Sequence, residues 1–593
     1  MIYKIGDSII SPLGMTTDAT FEAVCSGESN LSLYENIFGL PEPCFISLLD
    51  EARIDNAFSA LTDFGTEGYT KVEKAAIVAA AQAIDEANID AAREDVLFVL
   101  STTKGNVDLL EENPYELERP YLWRSAEIIT EFFDNPNTPI VVSNACISGC
   151  AAQIEACRQL RHGGYKYAVV IGAEMLSKFV ISGFQSFKAL SPERCKPFGA
   201  DRCGLNLGEA AAAIVFTKGD ENTVLDDGTL VVLGGAINND ANHISGPSRT
   251  GEGLLRAINR ATDGYDLNRL AFINAHGTAT VYNDDMESIA IQRAGLQDVF
   301  TNSLKGYFGH TLGAAGILET ILSARALKDH RVIGTKGTEQ VGTAATIKVC
   351  QETQPVEGDC FMKLISGFGG SNAAMLFAVV NGERRMVNGK LRMVYSKSDC
   401  NKPSISIVSS CVIDNEKVMV NGDVLVRREG DGDWLVDIYH NINMQYPKFF
   451  KMDNLCKAGT LAAEILLKDI DFNREEVKDD WAIVLMNSAS SLDDDRRYQQ
   501  TISDKDNYYP SPAIFVYTLA NIITGEIAIR HKIGGETSFY VLPSFDKEKM
   551  MEQIAQTFTE NPKLTHIICG WADYDNGNCN IQLFLTQRNN LID

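Results

Sequence analysis

Apolar and polar positions in the first 380 residues follow two alternating patterns. Residues 72–86 repeat apolar side chains at helical spacing and lead into the apolar run 96–100, and residues 151–160 lead into 167–171 in the same way. Helices that alternate with strands cover a parallel sheet. The pattern therefore predicts an α/β fold for this part of the chain.

The alternation stops after residue 380. The next 23 residues contain six basic side chains and only two acidic ones, Glu383 and Asp399. The basic residues are Arg384, Arg385, Lys390, Arg392, Lys397 and Lys402. We predict a solvated basic connector at 381–403 and a domain boundary near it.

The chain after the connector repeats the order of elements found before it. The matched segments are 75–89 with 455–470, 94–104 with 480–490, 140–145 with 540–544 and 169–174 with 567–573. This order predicts a further α/β unit related to the first part. The alternative is chance similarity among α/β segments.

Composition narrows the class of protein. With 53 Lys+Arg against 79 Asp+Glu the net charge is −26, which disfavours binding to nucleic acid or to an anionic membrane. The start, MIYKIGDSII, lacks an export signal, and no apolar run approaches the roughly 20 residues of a membrane span. The 14 cysteines form no CxxC and the eight histidines no HxxxH pair, so no metal site is predicted. We expect a cytoplasmic enzyme.

Cys146 is the first candidate for chemistry. It follows the apolar run 141–143 and precedes a small-residue segment that opens a predicted helix. A sulfur at a helix N-terminus experiences a partial positive charge, and this predicts a thiolate. Any single cysteine in this composition is more often a buried core residue.

Two histidines lie in glycine-rich turns. His276 follows an apolar strand in INAHGTAT, and His310 stands before a small-residue helix in KGYFGHTLGAAG. Histidines in such settings can assist a nearby thiol. A third turn, GFGGSNA at 367–373, would let backbone N–H groups approach a ligand. With the Cys146 amide it predicts an oxyanion hole.

Six motifs together resemble the β-ketoacyl-[acyl carrier protein] synthases, the condensing enzymes of the thiolase superfamily. In chain order they are SPLG (11–14), NACISG (144–149), KPFGADRCGLNLGEAAAAIV (196–215), HGTATVYNDDMES (276–288), KGYFGH with GAAG (305–316) and GFGGSNA (367–373). The resemblance implies a five-layered αβαβα fold of two duplicated halves, at 1–250 and 251–380. Residues 404–593 would add an α/β domain that resembles a partial half.

The same resemblance implies roles for individual residues. Cys146 would take an acyl group from a carrier's phosphopantetheine thiol, with the Cys146 and Phe368 amides holding the thioester oxygen. His276 and His310 would assist decarboxylation of a malonyl thioester and stabilise the enolate. The remaining positions are Lys305 and Glu319 as a buried charged pair, Thr278 and Thr280 at the pantetheine arm, Phe368 as a gate, and Asn283, Asp284 and Glu287 as supports.

The sequence departs from the family at two places. Ile147 is bulkier than the residue that often follows the nucleophile, so the chain length of the substrate is not predicted. Cys203 follows Arg202 where a second acidic residue is usual.

No metal or bound cofactor is implied, because the substrates arrive on acyl carrier protein. Carriers are acidic, so docking needs local basic residues, and the candidates are Arg124, Lys178, Lys188 and Lys196. A homodimer is also implied by the resemblance.

The alternatives to a synthase are a thiolase-like acyltransferase that does not decarboxylate and a nonenzymatic partner like a chain-length factor. Within residues 404–593, the counterpart of Cys146 is predicted near Ser544. This predicts a degenerate, noncatalytic synthase-like half, and the alternative is an unrelated α/β cap.

Overall fold

The computed structural model describes residues 1–62, 65–220, 223–380, 403–504 and 507–589. These residues form three α/β units, which we call the first, second and third halves. The predicted basic connector lies outside the described residues, except for Pro403.

Five strands of one mixed sheet build the first half: β1 (Ile2–Ile10), β2 (Val96–Ser101), β3 (Ile140–Val142), β4 (Tyr167–Glu174) and β5 (Ala210–Lys218). Across the sheet they lie in the order β3-β2-β4-β5-β1, with parallel pairing from β3 to β4 and antiparallel pairing from β4 to β1. The helices are α1 (Thr17–Cys25), α2 (Glu51–Ser59), α3 (Lys71–Ala87), α4 (Leu122–Phe132), α5 (Ser148–His162) and α6 (Lys178–Ser186).

The second half repeats this plan with β6 (Leu230–Asn239), β7 (Leu270–Asn274), β8 (Phe300–Asn302), β9 (Cys360–Gly367) and β10 (Ser371–Val379). The order is β8-β7-β9-β10-β6, and the parallel pairs again precede the antiparallel ones. The helices are α7 (Glu252–Ala261), α8 (Val281–Arg293), α9 (Lys305–Phe308) and α10 (Ala315–Lys328). Because β6 pairs with β10, the first half ends before Leu230 and the predicted boundary at residue 250 is wrong.

The third half has the same strand order once more. Its strands are β11 (Ile405–Asp414), β12 (Trp481–Asn487), β13 (Thr537–Val541), β14 (His566–Asp575) and β15 (Asn578–Arg588), arranged as β13-β12-β14-β15-β11. Two further strands, Lys417–Val420 and Asp423–Arg427, extend the sheet beyond β11. The helices are α11 (Trp434–Asn441), α12 (Asn454–Leu466), α13 (Leu492–Ser503), α14 (Pro512–Phe515), α15 (Ile522–His531) and α16 (Lys547–Glu560).

Short strands outside these sheets are Ser32–Tyr34, Cys44–Ser47, Leu207–Gly208, Arg331–Val332 and Gln354–Pro355. Among the described residues no single helix is long and apolar enough to cross a membrane. One bent helix pair, Pro512–Thr518 with Ile522–His531, passes that test by length and composition, with 98° between its members.

Helices lie between and outside the sheets, as the α/β prediction requires. The central helices α5 and α10 are buried along most of their length and share one apolar core with the inner faces of both sheets. On the outer face, α3 starts with a capping box in which the Thr70 hydroxyl and the Glu73 carboxylate satisfy each other's backbone N–H. Its alanine-rich inner face then packs on the first sheet.

The third half joins the first half edge to edge. Strand β13 pairs antiparallel with β3, with Tyr540 opposite Val142 and Val541 opposite Val141, and the Ser143 N–H donates to the Phe539 carbonyl at 3.3 Å. Val142 and Tyr540 hold the same place in their halves. Val142 pairs with Ser101, the last β2 residue that is paired with both neighbouring strands, and Tyr540 pairs with Met486, the last such residue of β12.

Under that equivalence the β3–β13 contacts map onto themselves. Val142 pairs with its own counterpart Tyr540. The Val141–Val541 pair and the Ser143–Phe539 hydrogen bond are counterparts of each other, because Val141 corresponds to Phe539 and Ser143 to Val541. A self-complementary contact of this kind is the signature of a two-fold axis. The third half therefore contacts the first half across a local pseudo-two-fold, as a second subunit would.

A buried ion pair adds a specific contact to this interface. The Lys104 ammonium lies 2.6 Å from the Asp495 carboxylate, with side chains 4% and 6% exposed. It also donates to the Ser491 hydroxyl at 3.2 Å and to the Thr518 carbonyl. A buried ammonium group needs such partners, so this contact fixes the position of the third half relative to the first.

Candidate active site

Three side chains from two halves meet between the sheets. Cys146 lies beyond the end of β3, His276 beyond β7 and His310 beyond α9. The sulfur and one ring nitrogen of each histidine all lie within 4.8 Å of one another. The two imidazoles meet edge to face, with ring centroids 4.9 Å apart. The structure thus brings together the three residues that the sequence singled out.

The turn before α5 fixes Cys146. Ala145 has a left-handed backbone, and the Ser148 hydroxyl donates to the Ala145 carbonyl at 2.5 Å while accepting the Asn144 N–H at 2.7 Å. Burial raises the pKa of the Cys146 thiol to about 12, against an opposing effect from Lys305. Lost hydration therefore opposes the thiolate that the helix N-terminus favours.

Both histidines are neutral. Each is almost fully buried, and burial followed by the charge of Lys305 holds the pKa of His276 and of His310 well below the usual value. His310 Nδ1 accepts the Leu312 N–H at 3.3 Å, so its proton resides on Nε2. Within the described ranges, His310 Nε2 and His276 Nδ1 have no hydrogen-bond partner. Both atoms are therefore available to a substrate.

A buried charge cluster lies behind the histidines. The Glu319 carboxylate receives the Lys305 ammonium at 2.8 Å and the Lys363 ammonium at 2.5 Å, and none of the three side chains is more than 1% exposed. Burial alone would raise the pKa of Glu319, but the two ammonium groups lower it. The sequence predicted Lys305 and Glu319 but missed Lys363, whose only signal is a lysine within the apolar strand β9.

The turn that carries His276 is held by α8. Glu287 accepts the N–H groups of His276 and Gly277, both at 2.7 Å, and Asp284 accepts that of Thr278 at 3.0 Å. Asn283 donates to Glu287 at 3.0 Å, and the hydroxyls of Thr278 and Thr280 lie 2.8 Å apart. Burial raises the pKa of Asp284 to about 6 and that of Glu287 to about 7. These contacts give Asn283, Asp284 and Glu287 structural positions beside the catalytic turn.

The glycine-rich loop between β9 and β10 lies against the nucleophile turn. A Cβ added to Gly367 would be 3.1 Å from the Cys146 nitrogen, so the two backbones touch. Phe368 is half-buried and packs on Phe184 and Phe187, with ring centroids 6.4 and 5.7 Å away. Phe515 of the third half joins them, 5.8 Å from each of the two. Sequence reasoning missed Phe515.

Two other residues also escaped prediction. Glu174, a buried carboxylate at the end of β4, accepts the N–H groups of Thr103, Lys104 and Gly313 at 2.9 to 3.1 Å. Asn521 of the third half donates to the Phe368 carbonyl at 2.8 Å. Contacts between distant segments leave no local pattern in the sequence.

The proposed docking residues carry compensated charges. Arg124 lies within 3.1 to 3.4 Å of Glu116, Glu127 and Glu131. Lys196 lies 3.0 Å from Glu193 and 2.6 Å from Asp201. Neither presents a free positive charge, so their docking role stays a prediction.

The described part of the third half has a serine at the position equivalent to Cys146. Counting four residues on from the equivalent positions Val142 and Tyr540 leads to Cys146 and Ser544, so Ser544 stands where the nucleophile would be. Asp573 accepts the Ala489 N–H at 3.0 Å, in the manner of Glu174 and Lys104. The third half keeps the scaffold and lacks the thiol.

The three ligand atoms of the site are also close enough to hold a metal ion. Beside them, however, two ammonium groups face the single carboxylate of Glu319. These two ammonium groups disfavour binding of a dication and attract a carboxylate or an oxyanion. The electrostatics therefore favour thiol chemistry on an anionic substrate.

The sequence matches two family models in the order of the first two halves. Residues 2–222 match the beta-ketoacyl synthase N-terminal domain, and residues 229–338 match the beta-ketoacyl synthase C-terminal domain. Cys146 falls in the first match, and both histidines fall in the second.

Individual proteins agree with these matches. The 3-oxoacyl-[acyl-carrier-protein] synthase 2 of Vibrio cholerae serotype O1 is 26% identical over 421 residues, covering 63% of this chain and 97% of that protein. The putative polyketide beta-ketoacyl synthase 1 of Streptomyces halstedii is 27% identical over 387 residues, covering 58% and 91%.

One solved structure extends the likeness to the third half. It is described as "PfaC Keto synthase-Chain length factor" and aligns with a TM-score of 0.78 at 13% identity, over 100% of this chain and 79% of that one. This alignment shows a shared fold. Together the two domain models span more than half of the chain, and the chain belongs to the β-ketoacyl synthase family.

Proposed function

We propose that the protein condenses a carrier-bound acyl group with a malonyl group in a decarboxylative Claisen reaction, in fatty-acid or polyketide synthesis. The observation that carries the proposal is a thiol within 4.8 Å of two neutral imidazoles. A thiol can hold an acyl group, and neutral imidazoles can donate hydrogen bonds to an enolate without titrating it.

In the first step the Cys146 sulfur attacks the thioester carbonyl of the acyl carrier. The carbon–sulfur bond to phosphopantetheine breaks, a new one forms to Cys146, and the thiol proton leaves with the pantetheine sulfur. The tetrahedral oxyanion is received by the backbone amides of Cys146 and Phe368. The high pKa of the thiol means that its proton must be lost in the course of attack.

In the second step the first carrier has left, and the phosphopantetheine arm of a malonyl carrier binds beside Thr278 and Thr280. Its carboxylate leaves as carbon dioxide, and the electron pair moves into the thioester as an enolate held by His276 and His310. The enolate carbon attacks the acyl-cysteine carbonyl, forming a carbon–carbon bond and expelling the Cys146 thiolate, which is then protonated. The products are a β-ketoacyl carrier, a free carrier thiol and carbon dioxide.

The surrounding charges suit this sequence. The ammonium groups of Lys305 and Lys363 favour entry of the malonyl carboxylate and the buildup of negative charge on the enolate. The histidines stay neutral beside these ammonium groups, so they act as hydrogen-bond donors. No resident cofactor is needed, because the departing carbon dioxide generates the carbanion.

We assign a noncatalytic role to the third half, with Ser544 replacing the nucleophile.

Acyl carrier protein is the proposed partner, and the cytoplasm is the proposed location, because the described cysteines are free thiols. Recovery of the protein from an oxidising compartment would contradict that location.

The proposed function is tested with purified protein, an acyl carrier and a malonyl carrier. We expect acylation of Cys146 in the intact mass, release of carbon dioxide and a β-ketoacyl product. Cys146→Ala should lose acylation and condensation. His310→Ala should keep acylation within about threefold, because that step does not form the enolate, and should lose condensation about a hundredfold or more.

Three outcomes would contradict these assignments. Acylation without carbon dioxide release by the wild type indicates an acyltransferase that does not decarboxylate. The absence of both reactions indicates a nonenzymatic partner. An equal loss of acylation and condensation in His310→Ala would remove the role assigned to that histidine.

The pH dependence of Cys146 alkylation tests its electrostatics. Because its pKa is raised to about 12, the thiolate fraction rises with pH throughout the accessible range. We expect the rate of labelling by iodoacetamide to rise by close to tenfold per pH unit from about pH 6 to about pH 9. A plateau below about pH 7 would show a thiolate at rest. Labelling of the Cys146→Ala variant measures the contribution of the other cysteines, which is subtracted.

The oligomeric state tests the place of the third half. The family resemblance predicts a homodimer, but in this chain the β3 edge is already paired with β13. We propose that the third half takes the position of a second subunit there, and we expect light scattering to give a mass near the 65.0 kDa of one chain. A particle of about twice that mass would favour the homodimer instead.

A further inference from the structure

We propose that Asn521, in the third half, is a positioning residue for the reaction at Cys146. Its amide holds the Phe368 carbonyl, and thereby keeps the Phe368 N–H directed at the thioester oxygen. This inference rests on the proposed function and adds to it a residue from outside the two catalytic halves.

The loop that carries Phe368 is rich in glycine, so its backbone has few intrinsic restraints. Gly369 and Gly370 have φ angles of 84° and 73°, and glycine adopts such angles with many alternatives available. The second half restrains the loop on both sides of Phe368, since Gly367 before it pairs with Ser371 after it. Gly369 donates to the Ile244 carbonyl at 2.6 Å and accepts from Asn239 at 2.8 Å, and Gly370 accepts the Asp240 N–H at 2.8 Å.

Asn521 adds a restraint from the third half to the peptide group that joins Phe368 to Gly369, on the side opposite the Ile244 contact. Its side-chain N–H donates to the Phe368 carbonyl at 2.8 Å, and within the described ranges this is the only hydrogen bond given to that oxygen. Asn521 is fully buried and stands directly before α15. Its side-chain oxygen has no partner among the described residues, so Phe368 is the one contact that orients the amide.

Close packing makes this contact rigid. A Cβ on Gly369 would lie 2.6 Å from the Asn521 amide nitrogen, and a Cβ on Gly525 would lie 2.7 Å from the Gly369 carbonyl oxygen. No side chain separates α15 from the loop. On its other side the loop touches the Cys146 backbone through Gly367. A continuous contact thus runs from the third half to the nucleophile.

Loss of the Asn521–Phe368 hydrogen bond should slow only those reactions at Cys146 that form an oxyanion. Loss of an oxyanion-hole donor costs about a hundredfold or more in rate. A donor that is present but poorly directed loses part of this stabilisation, and we expect a loss of about tenfold. Alkylation of the same sulfur by iodoacetamide forms no oxyanion and does not depend on the loop.

The experiment compares two reactions of one thiol in Asn521→Ala and Asn521→Asp. The aspartate keeps the size of the side chain while placing a carboxylate against the carbonyl, so it guards against a collapse of the interface. Asn561→Ala is the matched control, because Asn561 is also buried in the third half and lies at the end of α16. Cys146 is acylated with an acyl carrier and, separately, alkylated with iodoacetamide, and the ratio of the two rates is measured.

We expect both Asn521 variants to acylate about tenfold more slowly, with alkylation within threefold of the wild type and no change of ratio in Asn561→Ala. The inference is overturned if acylation stays within threefold, if acylation and alkylation fall together, or if the control shows the same selective loss. A wild type that is never acylated overturns the proposed function, and the inference with it.

Discussion

The site depends on one electrostatic constraint, the burial of two imidazoles beside two ammonium groups that share a single carboxylate. Lys305 and Lys363 need Glu319, since an unpaired buried charge costs several kcal/mol. Burial, and after it the charge of Lys305, holds the pKa of His276 and of His310 well below the usual value, so both rings stay neutral. Attraction for a carboxylate follows from the ammonium groups, whereas the protonated thiol follows from burial against the opposing effect of Lys305. The backbone bonds from Glu287 and Leu312 then fix where the free ring nitrogens point.

A second constraint is the edge of the first sheet. Strand β3 leads directly to Cys146, and an exposed edge there would invite pairing with another strand. The chain covers it with β13 in a self-complementary register about Val142 and Tyr540. We propose that the third half serves the site without a thiol, by covering this edge and by bringing Asn521 to the glycine-rich loop. This explains how a scaffold with Ser544 in place of a nucleophile has a use.

Sequence reasoning located the features with a local signature. The alternation of apolar runs predicted α3, β2 and the echo in the third half, and the glycine-flanked motifs marked Cys146, His276 and His310. It failed where the cause is spatial. A helix N-terminus suggested a thiolate, but the burial that raises the pKa of Cys146 is a property of the assembled halves. Lys363 and Asn521 act through partners that are far away in the chain, so no local spacing of residues in the sequence predicted their roles. The boundary at residue 250 was wrong because the pairing of β6 with β10, which places β6 in the second sheet, is invisible in composition.

The protonation of the two histidines tests the account most directly, because every assigned role needs neutral imidazoles. The chain has eight histidines, so protein labelled with nitrogen-15 at histidine gives a spectrum that His276→Gln and His310→Gln can assign. We predict that at about pH 7 both rings are neutral, with the His310 proton on Nε2 and its Nδ1 unprotonated. An imidazolium signal for either ring at that pH would contradict the account.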